Sequence, residues 1–217
     1  CIASSKESEN FLKILGANNV KNFGNLKFSQ TKKNLNNELD SILLNKIKQR
    51  KIWCAASTHS GEEIFCAKSH IKIKEKFSDV LTIIIPRHID RVEKIYSDLS
   101  KLNLKVAFYS KQNQLNEETD ILIIDSYGES LKFYNISKYV FIGKSLVNSL
   151  KKNSGQNPIE AARLGCKIFH GPNVSNFVEI YDYLKTLRIA KLISDTDELS
   201  LSLVEEFEEN KDKDDII

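Results

Sequence analysis

The chain has 217 residues, 28% charged and 41% hydrophobic, which suits one well-buried domain and excludes disordered and fibrous classes. Its formal charge of +3 conceals an asymmetry, because Glu205, Glu206, Glu208, Glu209, Asp212, Asp214 and Asp215 crowd the C-terminus and leave a basic body suited to anionic ligands. No run reaches the roughly 18 to 20 apolar residues that span a bilayer, and no secretory signal opens the sequence, so the chain reads as soluble.

Cys1, Cys54, Cys66 and Cys166 form no CxxC pair, which argues against a zinc site or a disulfide framework and fits a reducing, cytosolic setting. The sequence starts at Cys1 and contains no Met. It therefore reads as a piece of a longer protein.

Residues 1–50 read as an interdomain linker and a first helix, with a turn-like stretch at 22–25 and helical spacing at 39–48. From 51 to 195 the pattern changes. Short apolar runs at 51–57, 80–85, 105–109, 120–125, 139–142 and 167–170 predict strands buried on both faces. Helical spacing falls between them, at 61–77, 90–102, 129–136, 158–164 and 175–187. This alternation predicts an α/β fold, a Rossmann-like doubly wound parallel sheet. Residues 196–217 read as a C-terminal helix and acidic tail.

Ligands in such folds sit beyond the carboxyl ends of the strands, which singles out four segments. After the first buried strand, Ser60 and Glu63 have capping-box spacing, leaving Ser57, Thr58 and His59 to face a cleft. After the second, Arg87, His88 and Arg91 surround a helix start whose positive dipole end favours anions, and Asp90 and Glu93 have capping-box spacing. Arg91 reads equally well as the partner of a nearby acid. The Asp125-Ser126-Tyr127-Gly128-Glu129 turn reads equally as a plain cap or as part of a site.

The fourth segment runs from Gly143-Lys144-Ser145 to Gly155-Gln156-Asn157-Pro158-Ile159-Glu160. Asn157 as N-cap with Pro158 at the first helical position marks a helix start. Gly143 and Gly155 would let backbone amides approach a phosphate, and Glu160 would either close the cap or hold a ribose diol. No Walker loop, GxGxxG fingerprint, nucleophile elbow or HExxH occurs, and no DxD-type pair at a strand end demands a metal.

These motifs, in order, resemble those of bacterial 3-deoxy-D-manno-octulosonic acid (Kdo) transferases. The likeness rests on Ser57-Thr58-His59-x-Gly61-Glu62-Glu63, Pro86-Arg87-His88-x-x-Arg91, Asp125-x-x-Gly128-Glu129, Phe141-x-Gly143-x-Ser145-Leu146-Val147, Asn157-Pro158-x-Glu160 and Gly171-Pro172-x-x-x-Asn176-Phe177. The upstream Gly24-Asn25-Leu26-Lys27-Phe28 fits as well. The resemblance implies the C-terminal, donor-binding half of a GT-B glycosyltransferase.

It further implies the donor substrate CMP-Kdo with no separate cofactor, and a lipid A precursor as acceptor in lipopolysaccharide synthesis. The place it implies is the cytoplasmic face of the bacterial inner membrane, contacted by the full-length protein, with no nucleic-acid partner. The general base is expected in an N-terminal domain, so the fragment alone should be inactive. The donor-binding residues expected are Ser57, Thr58, His59, Arg87, His88, Gly143, Lys144, Ser145, Gly155, Gln156, Asn157 and Glu160, with no metal ligand. Two positions depart from the family: Lys144 replaces a usual Gly and Gln156 a usual His, and the 148–154 loop with Lys151 and Lys152 is longer. The alternatives are another GT-B transferase using a UDP-sugar, or a non-catalytic nucleotide-binding or docking module.

Overall fold

The structure is a computed structural model that describes residues 1–3, 6–23, 38–146 and 153–209. The 24–28 motif, Val147, Lys151, Lys152 and the acids from Asp212 onward lie outside the described residues. The chain divides into two compact units, Cys1–Asn36 and Asn37–Ile217. In the first, strands β1 (Ile2–Ala3) and β2 (Lys21–Asn22) pair in parallel, joined by helix α1 (Lys6–Ile14).

The second unit carries seven parallel strands: β3 (Ile52–Thr58), β4 (Leu81–Pro86), β5 (Val106–Phe108), β6 (Ile121–Ile123), β7 (Tyr139–Ile142), β8 (Lys167–His170) and β9 (Ala190–Leu192). Their spatial order is β5-β6-β4-β3-β7-β8-β9. Helices α2 (Ser41–Ile47), α3 (Glu62–Lys74), α4 (Val92–Ser100), α5 (Ser130–Ile136), α6 (Ile159–Arg163), α7 (Val178–Thr186) and α8 (Thr196–Glu209) complete it.

Side chains that alternate along each strand build two cores, one on each face of the sheet. Cys54 and Ala56, Leu81, Ile83 and Ile85, Leu122, and Val140 and Ile142 meet Leu43, Ile47, Phe133, Ile180 and Leu184 from α2, α5 and α7. Trp53 and Ala55, Ile84, Ile121 and Ile123, and Tyr139 and Phe141 meet Cys66, Ile73, Ile95, Leu99, Leu199 and Leu203 from α3, α4 and α8. Both faces of every central strand are thus apolar, as continuous runs such as Thr82-Ile83-Ile84-Ile85 require. Burying each large side chain contributes about 1.5 to 3 kcal/mol, so these cores supply the main drive to fold. Helix α8 packs on α3, where Ser69 Oγ donates to the Thr196 carbonyl at 3.3 Å and Lys72 pairs with Asp197.

Strand β9 and the pair β1/β2 were not expected. Strand β9 lies at the sheet edge with Lys191 and Leu192 exposed, so it lacks the apolar run that marks its neighbours. The expected strand at 105–109 shortens to Val106–Phe108 because a 3-10 turn begins at Tyr109.

A polar cluster lies at the amino end of the sheet. The buried His70 ring meets Thr82 Oγ1 at 2.9 Å and Asp120 Oδ1 at 3.4 Å, while Lys74 pairs with Asp120 and the Lys105 amide donates to its Oδ2 at 2.8 Å. Burial pushes His70 below the ordinary histidine value, although Asp120 pulls it upward. His59 and His170 are also pushed down, each chiefly by burial. For Asp120 burial favours the neutral acid, but the bonds from His70, Lys74 and the Lys105 amide prevail and hold it well below the usual carboxylate range.

The sign is the same for all four groups. A histidine depressed in the fold takes up its proton more readily in the unfolded chain, below about pH 6.5, and the depressed Asp120 does so further down. The denaturant midpoint should therefore fall between about pH 7 and about pH 5. A midpoint that rises over that interval would contradict the assignment.

Candidate functional site

The chain runs from β3 to β4 on one side of the sheet, while β7 pairs with β3 on the other. The strand order reverses there, and the crevice beyond the carboxyl ends of β3 and β7 is where such a sheet binds ligands. Arg87 follows β4, Gly143 follows β7 and Glu160 stands in the first turn of α6, so all three belong to this edge.

Glu62, the first residue of α3, organises the crevice. It is only 1% exposed, yet it forms no ion pair among the described residues. Its Oε2 accepts from the amides of His59 at 2.8 Å and Lys144 at 2.7 Å, and its Oε1 from those of Ser145 at 2.9 Å and Leu146 at 3.0 Å. One carboxylate thus binds the loop after β3 to the loop after β7. Burial raises its pKa, and the four amide bonds oppose the rise by stabilising the charged form.

This arrangement corrects the expected Ser60/Glu63 capping box. Gly61 at φ 97° begins the helix with no side-chain cap, Glu62 reaches back to the His59 amide, and Glu63 holds Arg91 at 3.0 and 3.1 Å. Arg91 is therefore the partner of an acid. The Asp90/Glu93 box is absent too, since a 3-10 turn (Ile89–Arg91) leads into α4 without a side-chain cap. Asp125 is spent on Ser110, accepting from its amide at 2.9 Å and from its hydroxyl, and Glu129 pairs with Lys132 at 2.8 Å. The 125–129 turn is accounted for by these local bonds.

Gly143 and Gly155 serve close packing. A methyl group on Gly143 would lie 2.5 Å from the Ser57 carbonyl oxygen and 2.8 Å from Glu62 Oε2. Gly155 has φ +83° with the Val174 backbone 2.9 Å from where its Cβ would stand, a conformation that favours glycine. Their amides are not turned to a ligand, which corrects that expectation: Gly143 donates to the Ala56 carbonyl at 2.8 Å and Gly155 to that of Lys144 at 2.7 Å. Ser145 is likewise engaged. Its buried hydroxyl donates to the Ile142 carbonyl at 2.7 Å and accepts from the Gly171 amide at 2.9 Å.

Several basic side chains face outward. Arg87 is exposed, its amide donating to the Thr58 carbonyl at 3.1 Å, and its guanidinium has no hydrogen bond or ion pair among the described residues. His88 is exposed and meets His59 edge-on with ring centroids 5.8 Å apart. Beyond burial, the charges of Lys144, His88 and Arg91 push His59 downward, while its bond to the Ser57 carbonyl opposes them. Thr58 differs from expectation because its side chain is fully buried and its hydroxyl has no partner among the described residues.

Lys144 and Ser57 adopt left-handed backbone, at φ 58° and 55°. For a residue with a Cβ this costs about 1 to 2 kcal/mol, which gives a physical reason for a Gly where this chain has Lys144. At the neighbouring loop the Asn157 side chain accepts from the Ile159 amide at 3.1 Å, but α6 begins at Ile159 with Pro158 in the cap position, one residue later than expected. Glu160 is exposed and does not reach back to Asn157, so its carboxylate stays available. Gln156 is half-buried, its carbonyl accepting from the Tyr181 hydroxyl at 2.9 Å.

The strand order and the crossovers define a Rossmann-like, doubly wound α/β fold with its switch point at β3 and β7. Comparison with known proteins agrees. The chain is 34% identical over 162 residues to the 3-deoxy-D-manno-octulosonic acid transferase of Haemophilus influenzae, covering 74% of this chain and 37% of the relative. It is 33% identical over 166 residues to the enzyme of the same name in Rickettsia felis, covering 76% and 35%. The C-terminal CMP-Kdo binding domain of WaaA from Acinetobacter baumannii superposes with a TM-score of 0.69 at 23% identity, over 81% of this chain and 92% of that one. A putative UDP-N-acetylglucosamine 2-epimerase from Listeria monocytogenes gives 0.54 at 14% identity, over 99% and 52%. No protein-family profile matches the chain. The motif resemblance thus holds: over most of its length this chain is similar to Kdo transferases, and it spans about a third of their length.

Glu62 was missed as an organising residue. Its signal was an acid directly after the Gly that starts a helix, at a strand end facing a second Gly-bearing loop. Glu62→Gln turns an amide group toward two N–H donors, which should cost about 1 to 3 kcal/mol and speed hydrogen exchange at Lys144, Ser145 and Leu146. Unaltered exchange at those three amides would contradict the clamp.

Proposed function

We propose that this chain is the donor-binding part of a Kdo transferase, holding CMP-Kdo at the carboxyl edge of its sheet. The observation that carries the reading is the group of Arg87, His88, His59 and Lys144 around the end of β3, at the point where the strand order reverses. Similarity to Kdo transferases, and to a domain described as binding CMP-Kdo, supports that choice of donor.

Attack on the anomeric carbon of Kdo expels CMP, so negative charge grows on the departing phosphate. Cations fixed at that position before reaction stabilise it without reorganisation. Arg87 presents a guanidinium fork with no partner among the described residues, suited to two phosphate oxygens, and Lys144 adds a point charge. His59 and His88 orient the phosphate or cytosine, while Glu160 accepts from the ribose hydroxyls. Gly143, Ser145, Gly155 and Asn157 act indirectly, by fixing the loops that carry these groups. Ser57 and Thr58 form the turn to which the Arg87 backbone is tied.

The acceptor in this reading is a lipid A precursor, the process lipopolysaccharide synthesis, and the place the cytoplasmic face of the inner membrane. The general base belongs to a domain outside this sequence. Among the described residues no helix is long and apolar enough to cross a membrane, and no group of three His, Cys, Asp or Glu could hold a metal ion.

Calorimetric titration with CMP, UMP and UDP tests the donor. CMP should bind best, and Arg87→Ala should weaken it about tenfold, equivalent to ~1.4 kcal/mol. Preference for UDP would favour a UDP-sugar donor instead. Lys144→Gly separates charge from backbone: the turn relaxes and unfolding stability is retained or rises slightly, while CMP affinity falls. Unchanged affinity would remove the Lys144 ammonium from the site.

A further inference from the structure

The opposite edge of the sheet carries a second cleft that the donor reading does not use. It encloses about 440 Å³ at the amino ends of β3 and β7, a volume within the range of small-ligand sites. Lys48 and Leu44 come from the end of α2, Arg50 and Lys51 from the segment entering β3, Lys138 from the segment entering β7, and Phe207 from α8. Asp79 is the one carboxylate in the lining.

The cations are held by neutral acceptors. Arg50 donates through Nε to the Asp79 carbonyl at 3.0 Å and through Nη2 to the Val80 carbonyl at 2.8 Å. Its Nη1 is shielded from water and has no hydrogen-bond partner among the described residues. Burial lowers the Arg50 pKa, opposed by the charges of Asp120, Asp79 and Glu117. Lys48 donates to Asn45 Oδ1 at 3.0 Å. Lys51 donates to the Phe207 carbonyl at 3.5 Å, its ammonium 4.7 Å from the centre of the Phe77 ring. None of these three forms an ion pair among the described residues. Carbonyls and a ring orient the cations but leave their charge in place, and a half-buried guanidinium retains an unmet donor whose isolation costs about 1 to 3 kcal/mol.

We propose that this amino-edge cleft binds a phosphate-type oxyanion, with Arg50 as its fixed anchor and Lys48 and Lys51 as flanking charges. Leu44, Ile52, Ile136, Tyr139 and Phe207 give the cleft an apolar wall, so a phosphate attached to an apolar body fits as well as a free one.

Inorganic pyrophosphate is the soluble probe, followed through the backbone amide resonances of Lys48, Arg50, Lys51 and Lys138. Saturable shifts are expected there. The double variant Lys48→Glu/Lys51→Gln should weaken binding by about tenfold or more while CMP affinity stays unchanged. Arg50 is left intact because its two carbonyl bonds tie the entry to β3 against the turn before β4. Vesicles distinguish the source of the phosphate. Co-sedimentation with phosphatidylcholine containing phosphatidylglycerol, but not with phosphatidylcholine alone, and lost in the variant, assigns a lipid headgroup. Pyrophosphate binding without co-sedimentation assigns a soluble phosphate. The absence of saturable shifts at these residues, or equal affinity in the double variant, overturns the proposal.

Discussion

A buried carboxylate without a cation is costly unless backbone donors replace the water it has lost. Glu62 meets that condition with four amides drawn from two loops, and this constraint shapes the whole carboxyl edge. To deliver the amides of Lys144, Ser145 and Leu146 to one residue, the chain after β7 must turn sharply, which places Lys144 in the left-handed region. To bring that turn against Ser57 and Thr58, residue 143 must lack a side chain. The positions of His59, Lys144 and Arg87 all follow from the clamp and from the bond between the Arg87 amide and the Thr58 carbonyl.

The clamp explains why the residues expected to touch a ligand divide into two roles. Glycine amides and the Ser145 hydroxyl satisfy neighbouring loops, leaving long cationic side chains above them. In the proposed reading, phosphate is met by guanidinium and ammonium groups over a rigid floor instead of by a cradle of free amides. In that reading the floor gives preorganisation, because charges tied to a braced loop would not have to move as a leaving group developed its own.

The central strands were legible because burial on both faces leaves little choice of residue, as in Leu81 to Ile85. Strand β9 was not, since an edge strand with Lys191 and Leu192 exposed carries no such run. At the site, the helix start near Asn157 and Pro158 was readable from local chemistry to within a residue, as was the clustering of Arg87 and His88. The acids after Gly61 were not. Both Glu62 and Glu63 have plausible local partners, and only the fold reveals that Glu62 faces the β7 loop while Glu63 meets Arg91. Spacing along a chain cannot register a bond between residues 82 positions apart.

A structure of the chain with CMP bound would test the central claim most directly. The account predicts the phosphate within hydrogen-bonding distance of Arg87 and Lys144, the ribose against Glu160, and Glu62 still holding its four amides beneath. A nucleotide seated anywhere other than the ends of β3 and β7, or one whose binding pulls Glu62 from the 144–146 loop, would contradict it.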